Sequence, residues 1–316
     1  MRWGIVGTGG IAAAMAATIR QVEGGVVNAV ASRSPERSAR FAAAHGIRYR
    51  FESAGELAVC DDVDVVYVAS SHSHHLADAT ASLEAGTPVL CEKPLTVSLT
   101  EAETLVATAR RTGVFLMEAM WMRFQPFWDR LTEWIDSGRI GPLRHIAADF
   151  GINADPDPGR RWFDPAQGGG ALLDVGIYPV TLACLLAGVP DEVRALQVAA
   201  DTGVDAQTGM VLRHPGGVLS VLGCSFVADT GIEATLSGPD GRIRLDAPFH
   251  QSGRLSHRVG GDQIEEIDVS YRGSGYRWEV EEVHRCLSLG LSESPRHPLD
   301  ATLGIMRVLE RARGAI

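Results

Sequence analysis

The first twelve residues constrain this chain more than any others. Arg2-Trp3-Gly4-Ile5-Val6 is a short, largely apolar run that reads as a strand. It passes directly into Gly7-Thr8-Gly9-Gly10-Ile11-Ala12, and an alanine-rich helix pattern follows. A Gly-x-Gly-x-x-Ala turn between strand and helix is the layout that receives the pyrophosphate of a dinucleotide. Gly7 can take the backbone angles of a tight turn. Gly9 has no side chain, so a phosphate can approach the main chain, and small Ala12 lets the helix lie close to the sheet. Gly10 and Ile11, at the helix start, add free N–H groups and a partial positive charge.

The pattern beyond this turn is α/β. Apolar runs at 26–31, 47–50, 63–69, 89–92 and 114–117 read as strands. Helical stretches separate them: one opened by Ser34-Pro35, one over 75–85 closed by Gly86, and one over 100–111 closed by Gly113. This alternation predicts a doubly wound parallel sheet. Past Met120 the pattern changes. A helix is expected at 124–136, a long strand at 143–153, a helix at 171–187, strands through 192–269, and two closing helices at 276–289 and 299–313. The expected organisation is a Rossmann domain over 1–120. An α+β domain over 121–316 follows, built on a large, mostly antiparallel open sheet, its closing helices packing back toward the first domain.

Bulk properties narrow the function. A formal net charge of −10 disfavours a nucleic-acid partner, which needs a basic surface. Cys60, Cys91, Cys184, Cys224 and Cys286 are scattered without a C-x-x-C pair, as in a reduced, cytoplasmic protein. No run approaches ~18 consecutive apolar residues and the start lacks a signal-peptide layout, so no membrane is expected.

Several residues then carry chemistry. The second strand ends Ala31-Ser32-Arg33-Ser34, with no acid where an NAD-selecting site holds the ribose hydroxyls. Ser32, Arg33 and Arg37 stand where the 2′-phosphate of NADP would lie, and arginine suits bidentate phosphate contact. NADP is therefore the expected cofactor, with NAD possible; otherwise the two arginines are solvated surface charges. Cys91-Glu92-Lys93-Pro94 closes the fifth strand, at the edge where ligands of open α/β sheets bind. Lys93 is placed there either to meet nicotinamide and substrate or simply as an exposed lysine. Ser70, Ser71, His72 and His75 follow the fourth strand and border the cofactor edge. The run Ser71-His72-Ser73-His74-His75 resembles a metal cluster, but adjacent histidines in one loop cannot converge on one ion, so no metal is expected. Asp174 and Tyr178, four apart after Gly168-Gly169-Gly170, share a helical face. They read either as a proton-transfer group held by a carboxylate or as a buried hydrogen-bonded pair.

Taken together, Gly7 to Ala12, Glu92-Lys93-Pro94 and Gly168 to Tyr178 resemble the glucose–fructose oxidoreductase/inositol dehydrogenase/MocA family over nearly the whole chain. Phe115-Leu116-Met117-Glu118-Ala119-Met120-Trp121-Met122-Arg123-Phe124 and Arg161-Trp162-Phe163-Asp164-Pro165 are most similar to its dimeric dihydrodiol dehydrogenase and NADP-dependent D-xylose dehydrogenase branch. The resemblance implies an oxidoreductase that moves a hydride between nicotinamide and a secondary alcohol or carbonyl of a sugar, polyol or cyclic trans-diol. Lys93 and Tyr178 would be its acid/base pair, with Asp174 as the tyrosine's neighbour. Trp121 and Phe150 would line the substrate site, and Glu92, Trp121 and Arg123 would border the cofactor. Tyr178 stands where inositol-dehydrogenase-like members carry histidine, which argues against their substrates. A homodimer, or a dimer of dimers, through the C-terminal sheet is also implied. The family includes non-catalytic NAD(P)-binding regulators, and that is the competing reading; Lys93, Asp174 and Tyr178 together favour the enzyme. Members that hold NADP tightly carry an N-terminal arm, and this chain starts at its first strand, so that type is set aside.

Overall fold

The computed structural model describes residues 1–154 and 160–314, which divide into two compact units. The first holds Met1–Phe124 together with Ser274–Leu303, and the second holds Gln125–Gly273 and the chain from Gly304 onward.

The first unit is built on β1 (Arg2–Val6), β2 (Val26–Ala31), β3 (Tyr49–Phe51), β4 (Val65–Val68), β5 (Val89–Glu92) and β6 (Leu116–Ala119). These are parallel neighbours in the order β3-β2-β1-β4-β5-β6. The order reverses between β1 and β4, and such a switch point opens a crevice at the carboxyl ends of the strands. Helices α1 (Gly10–Ile19), α2 (Pro35–His45), α3 (Ala54–Ala58), α4 (His75–Glu84) and α5 (Leu99–Thr112) connect them. Every residue of β4, β5 and β6 is buried, as expected of parallel strands covered on both faces. Local chemistry sets the helix ends. The Ser34 hydroxyl accepts the Arg37 N–H with Pro35 at the first helical position, and Gly46, in left-handed geometry, closes α2. Two strands fall two residues later than the apolar runs suggest, at 49–51 and 116–119. Pairing decides their limits: Leu116, Met117 and Glu118 lie opposite Val89, Leu90 and Cys91, so Glu118 joins the strand.

The second unit contains α6 (Phe127–Asp136), β7 (His145–Gly151), α7 (Ile177–Ala187), β8 (Glu192–Ala199), β9 (Asp205–Arg213), β10 (Leu219–Ser225), β11 (Ala234–Gly238), β12 (Gly241–Leu245), β13 (Arg254–Val259) and β14 (Asp262–Asp268). The strands form one sheet in the order β14-β13-β12-β11-β7-β10-β9-β8, antiparallel except for β7 beside β10. β9 alternates strictly, with Ala206, Thr208, Met210 and Leu212 buried and Gln207, Gly209, Val211 and Arg213 exposed. One face is therefore covered and the other open.

The expected helix over 171–187 is not uniform. Leu172–Gly176 is a π-helical turn, and α7 begins only at Ile177. Pro179 accounts for this. It has no N–H for the Val175 carbonyl, and its ring crowds that carbonyl, so the preceding turn widens. The segment Pro165–Ala187 is long and apolar enough to cross a membrane by length and composition, yet 83% of its most apolar stretch is buried within the protein. The chain closes with α8 (Arg277–Ser288) and α9 (Leu299–Arg313). Val280, Val283 and Cys286 of α8 join Trp3, Ile5, Met15, Tyr67 and Leu90 in the first unit's core.

Candidate active site

The glycine turn comes first. Gly7 has φ 111°, its N–H donates to the Ala31 carbonyl at 2.9 Å, and a Cβ there would run into the Ala69 carbonyl oxygen. Gly9 and Gly10 differ: a Cβ at either would meet no protein atom within 4 Å. Gly9 caps α1 without a side-chain hydrogen bond, so the helix start with Ile11 keeps its N–H groups. Ala12 is fully buried against the sheet. Beside this turn, the Ser70 hydroxyl is buried with no hydrogen-bond partner among the described residues. An open glycine cradle, a bare helix N-terminus and an orphaned hydroxyl together fit a dinucleotide phosphate.

At the end of β2, Arg33 and Arg37 are exposed. Ser32 accepts the Ser34 N–H at 3.3 Å. Arg33 Nη1 lies 2.6 Å from His74 Nε2, and His74 Nδ1 lies 2.9 Å from the Ser71 hydroxyl. A guanidinium can only donate, so His74 accepts at Nε2 and donates from Nδ1. Sequence reasoning passed over His74 as part of a false metal motif; its spacing three residues after Ser71 was the available clue.

Lys93 is half-buried on a turn held at three successive residues. The Lys93–Pro94 peptide is cis. The Lys93 N–H donates to Glu92 Oε2 at 3.1 Å, and Glu92 Oε1 accepts the Tyr67 hydroxyl at 2.5 Å. His75 Nδ1 lies 2.9 Å from the Pro94 carbonyl, and its Nε2 lies 3.2 Å from the Ser70 carbonyl. The Leu95 N–H donates to Glu118 Oε1 at 2.9 Å. His75 is fully buried, and burial lowers its pKa, so the neutral ring donates through the shorter Nδ1 contact. The His75 ring is turned onto backbone carbonyls and holds the Lys93 turn. The His72 ring, 5% exposed, packs edge-on against it at 5.5 Å. Behind Glu92 sits Glu279, fully buried, with neither carboxyl oxygen hydrogen-bonded among the described residues. Burial, and then the nearby Glu92 charge, push its pKa well up. Trp121 and Arg123 share the single turn Trp121–Phe124, and the Trp121 ring packs on Tyr276 at 4.9 Å.

In the second unit, Asp174 lies on the π-turn and Tyr178 in the first turn of α7, each 6% exposed. Asp174 Oδ1 accepts from Arg161 at 3.1 Å. The Phe150 ring, on β7, lies 5.3 Å from the Tyr178 ring. His250 completes the cluster, stacked on Phe150 at 4.6 Å and 5.1 Å from Tyr178. His250 was missed: it sits on the single turn Phe249–Gln251, where no periodicity marks a facing residue. Two of the three glycines now have their reason. A Cβ on Gly169 would meet the carbonyls of Arg161, Trp162 and Asp164 at 2.7–2.9 Å, and Gly170 has φ 119° against the Asp205 carboxylate. Asp205 Oδ2 accepts the Leu172 N–H at 2.7 Å and the Thr208 hydroxyl at 3.1 Å.

A switch-point glycine turn and a lysine clamped at the end of β5 fit an oxidoreductase with an NAD(P)-binding Rossmann domain acting on CH–OH groups. Comparison with known proteins agrees. The family described as oxidoreductases with an NAD-binding Rossmann fold matches residues 1–120, and the GFO/IDH/MocA C-terminal domain matches residues 128–244. The chain belongs to the GFO/IDH/MocA family. It is 37% identical over 328 residues to the trans-1,2-dihydrobenzene-1,2-diol dehydrogenase of Macaca fuscata fuscata, covering 100% of this chain and 97% of that one. Among solved structures it is similar to the aldose–aldose oxidoreductase from Caulobacter crescentus complexed with glycerol, with a TM-score of 0.90 and 25% identity over 100% of this chain and 97% of that chain. A 3-ketoreductase from Actinomadura kijaniata, in complex with NADP and TDP-benzene, superposes with a TM-score of 0.90 and 27% identity at the same coverage.

Proposed function

We propose that this protein is an NADP-dependent dehydrogenase for a secondary alcohol of a cyclic trans-diol, sugar or polyol, or a reductase of the matching carbonyl. The observation that carries this reading is the Lys93 turn, a half-buried lysine whose backbone is pinned residue by residue at the carboxyl edge of β5. The dihydrodiol dehydrogenase relatives support the substrate class.

The nicotinamide, when bound, supplies the hydride acceptor or donor. Gly7, Gly9, Gly10, Ile11 and Ala12 receive its pyrophosphate, with Ser70, Ser71, His72, Glu92, Trp121 and Arg123 along its path. Ser32, Arg33 and Arg37 select the 2′-phosphate, and the His74 contact holds Arg33 ready for it. Lys93 and Tyr178 are the acid/base pair for the substrate hydroxyl. In oxidation, the Tyr178 phenolate takes the hydroxyl proton as the carbinol hydrogen leaves; in reduction, the phenol returns it. A free tyrosine, with a pKa near ~10, is a poor base at neutral pH, so base action by a phenol requires positive charge beside it. Asp174, tied to Arg161, orients the phenol without carrying the proton. Phe150 and Trp121 present flat faces suited to a ring.

The test is titration with NADP and NAD, followed by turnover at 340 nm with trans-diols, aldoses and polyols. Preference for NADP with turnover is expected. Lys93→Met should abolish turnover with NADP binding kept, and Tyr178→Phe should cut kcat by about 100-fold. Tight NADP binding without turnover of any substrate would instead make the chain a regulator.

We further propose a cytoplasmic homodimer joined through the open sheet face. Leu196, Val198, Val211, Leu219 and Val221 are exposed on β8, β9 and β10. Such a contiguous apolar patch is characteristic of an interface.

A further inference from the structure

Glu118 lies on β6 and meets the Lys93 turn only through the Leu95 N–H, with no role of its own in the chemistry above. Its side chain is 1% exposed. Oε1 accepts the Leu95 N–H at 2.9 Å, and Oε2 accepts the Thr302 hydroxyl at 2.8 Å and lies 3.1 Å from His297 Nε2. His297 and Thr302 are themselves buried. His297 Nδ1 has no hydrogen-bond partner among the described residues, so the tautomer that fits carries its proton on Nε2 and donates to Glu118. A buried carboxylate is costly unless donors meet its lone pairs, and an aliphatic side chain would fill the space without that cost. Packing alone therefore does not explain a glutamate here.

The donor it holds explains it. Pro94 has no N–H, so Leu95 supplies the first one after Lys93. Lys93 is anchored upstream by Glu92 and at the Pro94 carbonyl by His75, and Leu95 is the downstream anchor. Through Thr302 and His297 that anchor is fixed to the start of α9 and the segment before it.

We propose that Glu118 is a positioning residue for Lys93, its carboxylate locking the Lys93–Leu95 turn so that the ammonium is held at the reacting hydroxyl. This rests on the reading of Lys93 as a member of the acid/base pair. The test measures kcat, NADP affinity and thermal stability for Glu118→Ala, Glu118→Gln, Thr302→Val and Lys93→Met. Glu118→Ala should lower kcat by roughly 30-fold, because a shift near 1 Å at a catalytic group is worth on the order of 100-fold. Its NADP dissociation constant should stay within about twofold, since Glu118 makes no contact with the glycine turn or the β2 end. Glu118→Gln restores an acceptor for the Leu95 N–H and should recover kcat to within about threefold. Wild-type kcat in Glu118→Ala, or equal loss of kcat and NADP affinity, overturns the proposal. If Glu118→Ala does not fold, Thr302→Val decides: reduced kcat at unchanged NADP affinity supports the proposal, and wild-type kcat overturns it. An active Lys93→Met removes the underlying reading instead, so the two failures are distinguishable.

Discussion

Gly7 and Gly9 stand two residues apart in one turn and are glycines for different reasons. Gly7 is required by the protein itself, through a positive φ and the Ala69 carbonyl. Gly9 borders empty space, so only a ligand needs its missing side chain. Gly7→Ala should therefore destabilise the fold by about 1–3 kcal/mol in denaturant melts. Gly9→Ala should change stability by less than about 0.5 kcal/mol while weakening NADP binding at least tenfold. Unchanged NADP affinity in Gly9→Ala would remove the cofactor from that turn. Glu279 gives a pH prediction. Its folded-state pKa lies well above the unfolded value of about 4.3, so the neutral acid favours the fold fully only below that value. Stability is lost as pH rises toward the folded pKa, because the unfolded chain ionises first. The stability of Glu279→Gln relative to wild type should therefore climb as pH rises above about 4, and a constant difference would mean Glu279 does not resist ionisation. The sequence showed both glycines through their strand–turn–helix context. It could not show Glu279 or Glu118, whose significance lies in what surrounds them in the core.

At the scale of elements, capping and turn chemistry were legible and register was not. Ser34-Pro35 opens α2 and Gly113 closes α5 as their types dictate. The π-turn at Leu172–Gly176 was not anticipated, because the helix was read as continuous over 171–187 and Pro179 was passed over. Asp174 and Tyr178 were placed on one α-helical face by their spacing of four. They are instead separated by the junction between a π-turn and α7, so their relation is set by that junction. Asp205 holds the start of this element from β9, a contact between residues 33 apart in sequence. Asp205→Ala leaves the Leu172 N–H and the Thr208 hydroxyl without their acceptor. It should cost about 1–2 kcal/mol in thermal melts, with Tyr178-dependent kcat falling as the π-turn loosens. An unchanged melting temperature would show that the turn holds without Asp205.

For the whole molecule, the open sheet face carries the assembly prediction. Val221 is 48% exposed, so Val221→Arg should leave monomer stability within about 0.5 kcal/mol. It should convert a dimer to a monomer in light scattering, and a wild-type monomer would end the dimer proposal. The sequence by itself determined the Rossmann turn, the α/β alternation, the strand-rich second half and the positions of Lys93 and Tyr178. Each of these is written in local spacing: a glycine pattern, a hydrophobic period, a strand end. The sequence also led to the expectation that the closing helices pack back toward the first domain; only the tertiary structure decided the bounds, with Ser274–Leu303 in the same unit as residues 1–124 and Val280, Val283 and Cys286 of α8 in its core. The tertiary structure alone decided that His75 and Glu118 clamp the Lys93 turn, that His74 carries Arg33, and that His250 stacks on Phe150. Those roles depend on which side chains meet after distant segments pack, and a buried hydrogen bond has no sequence period.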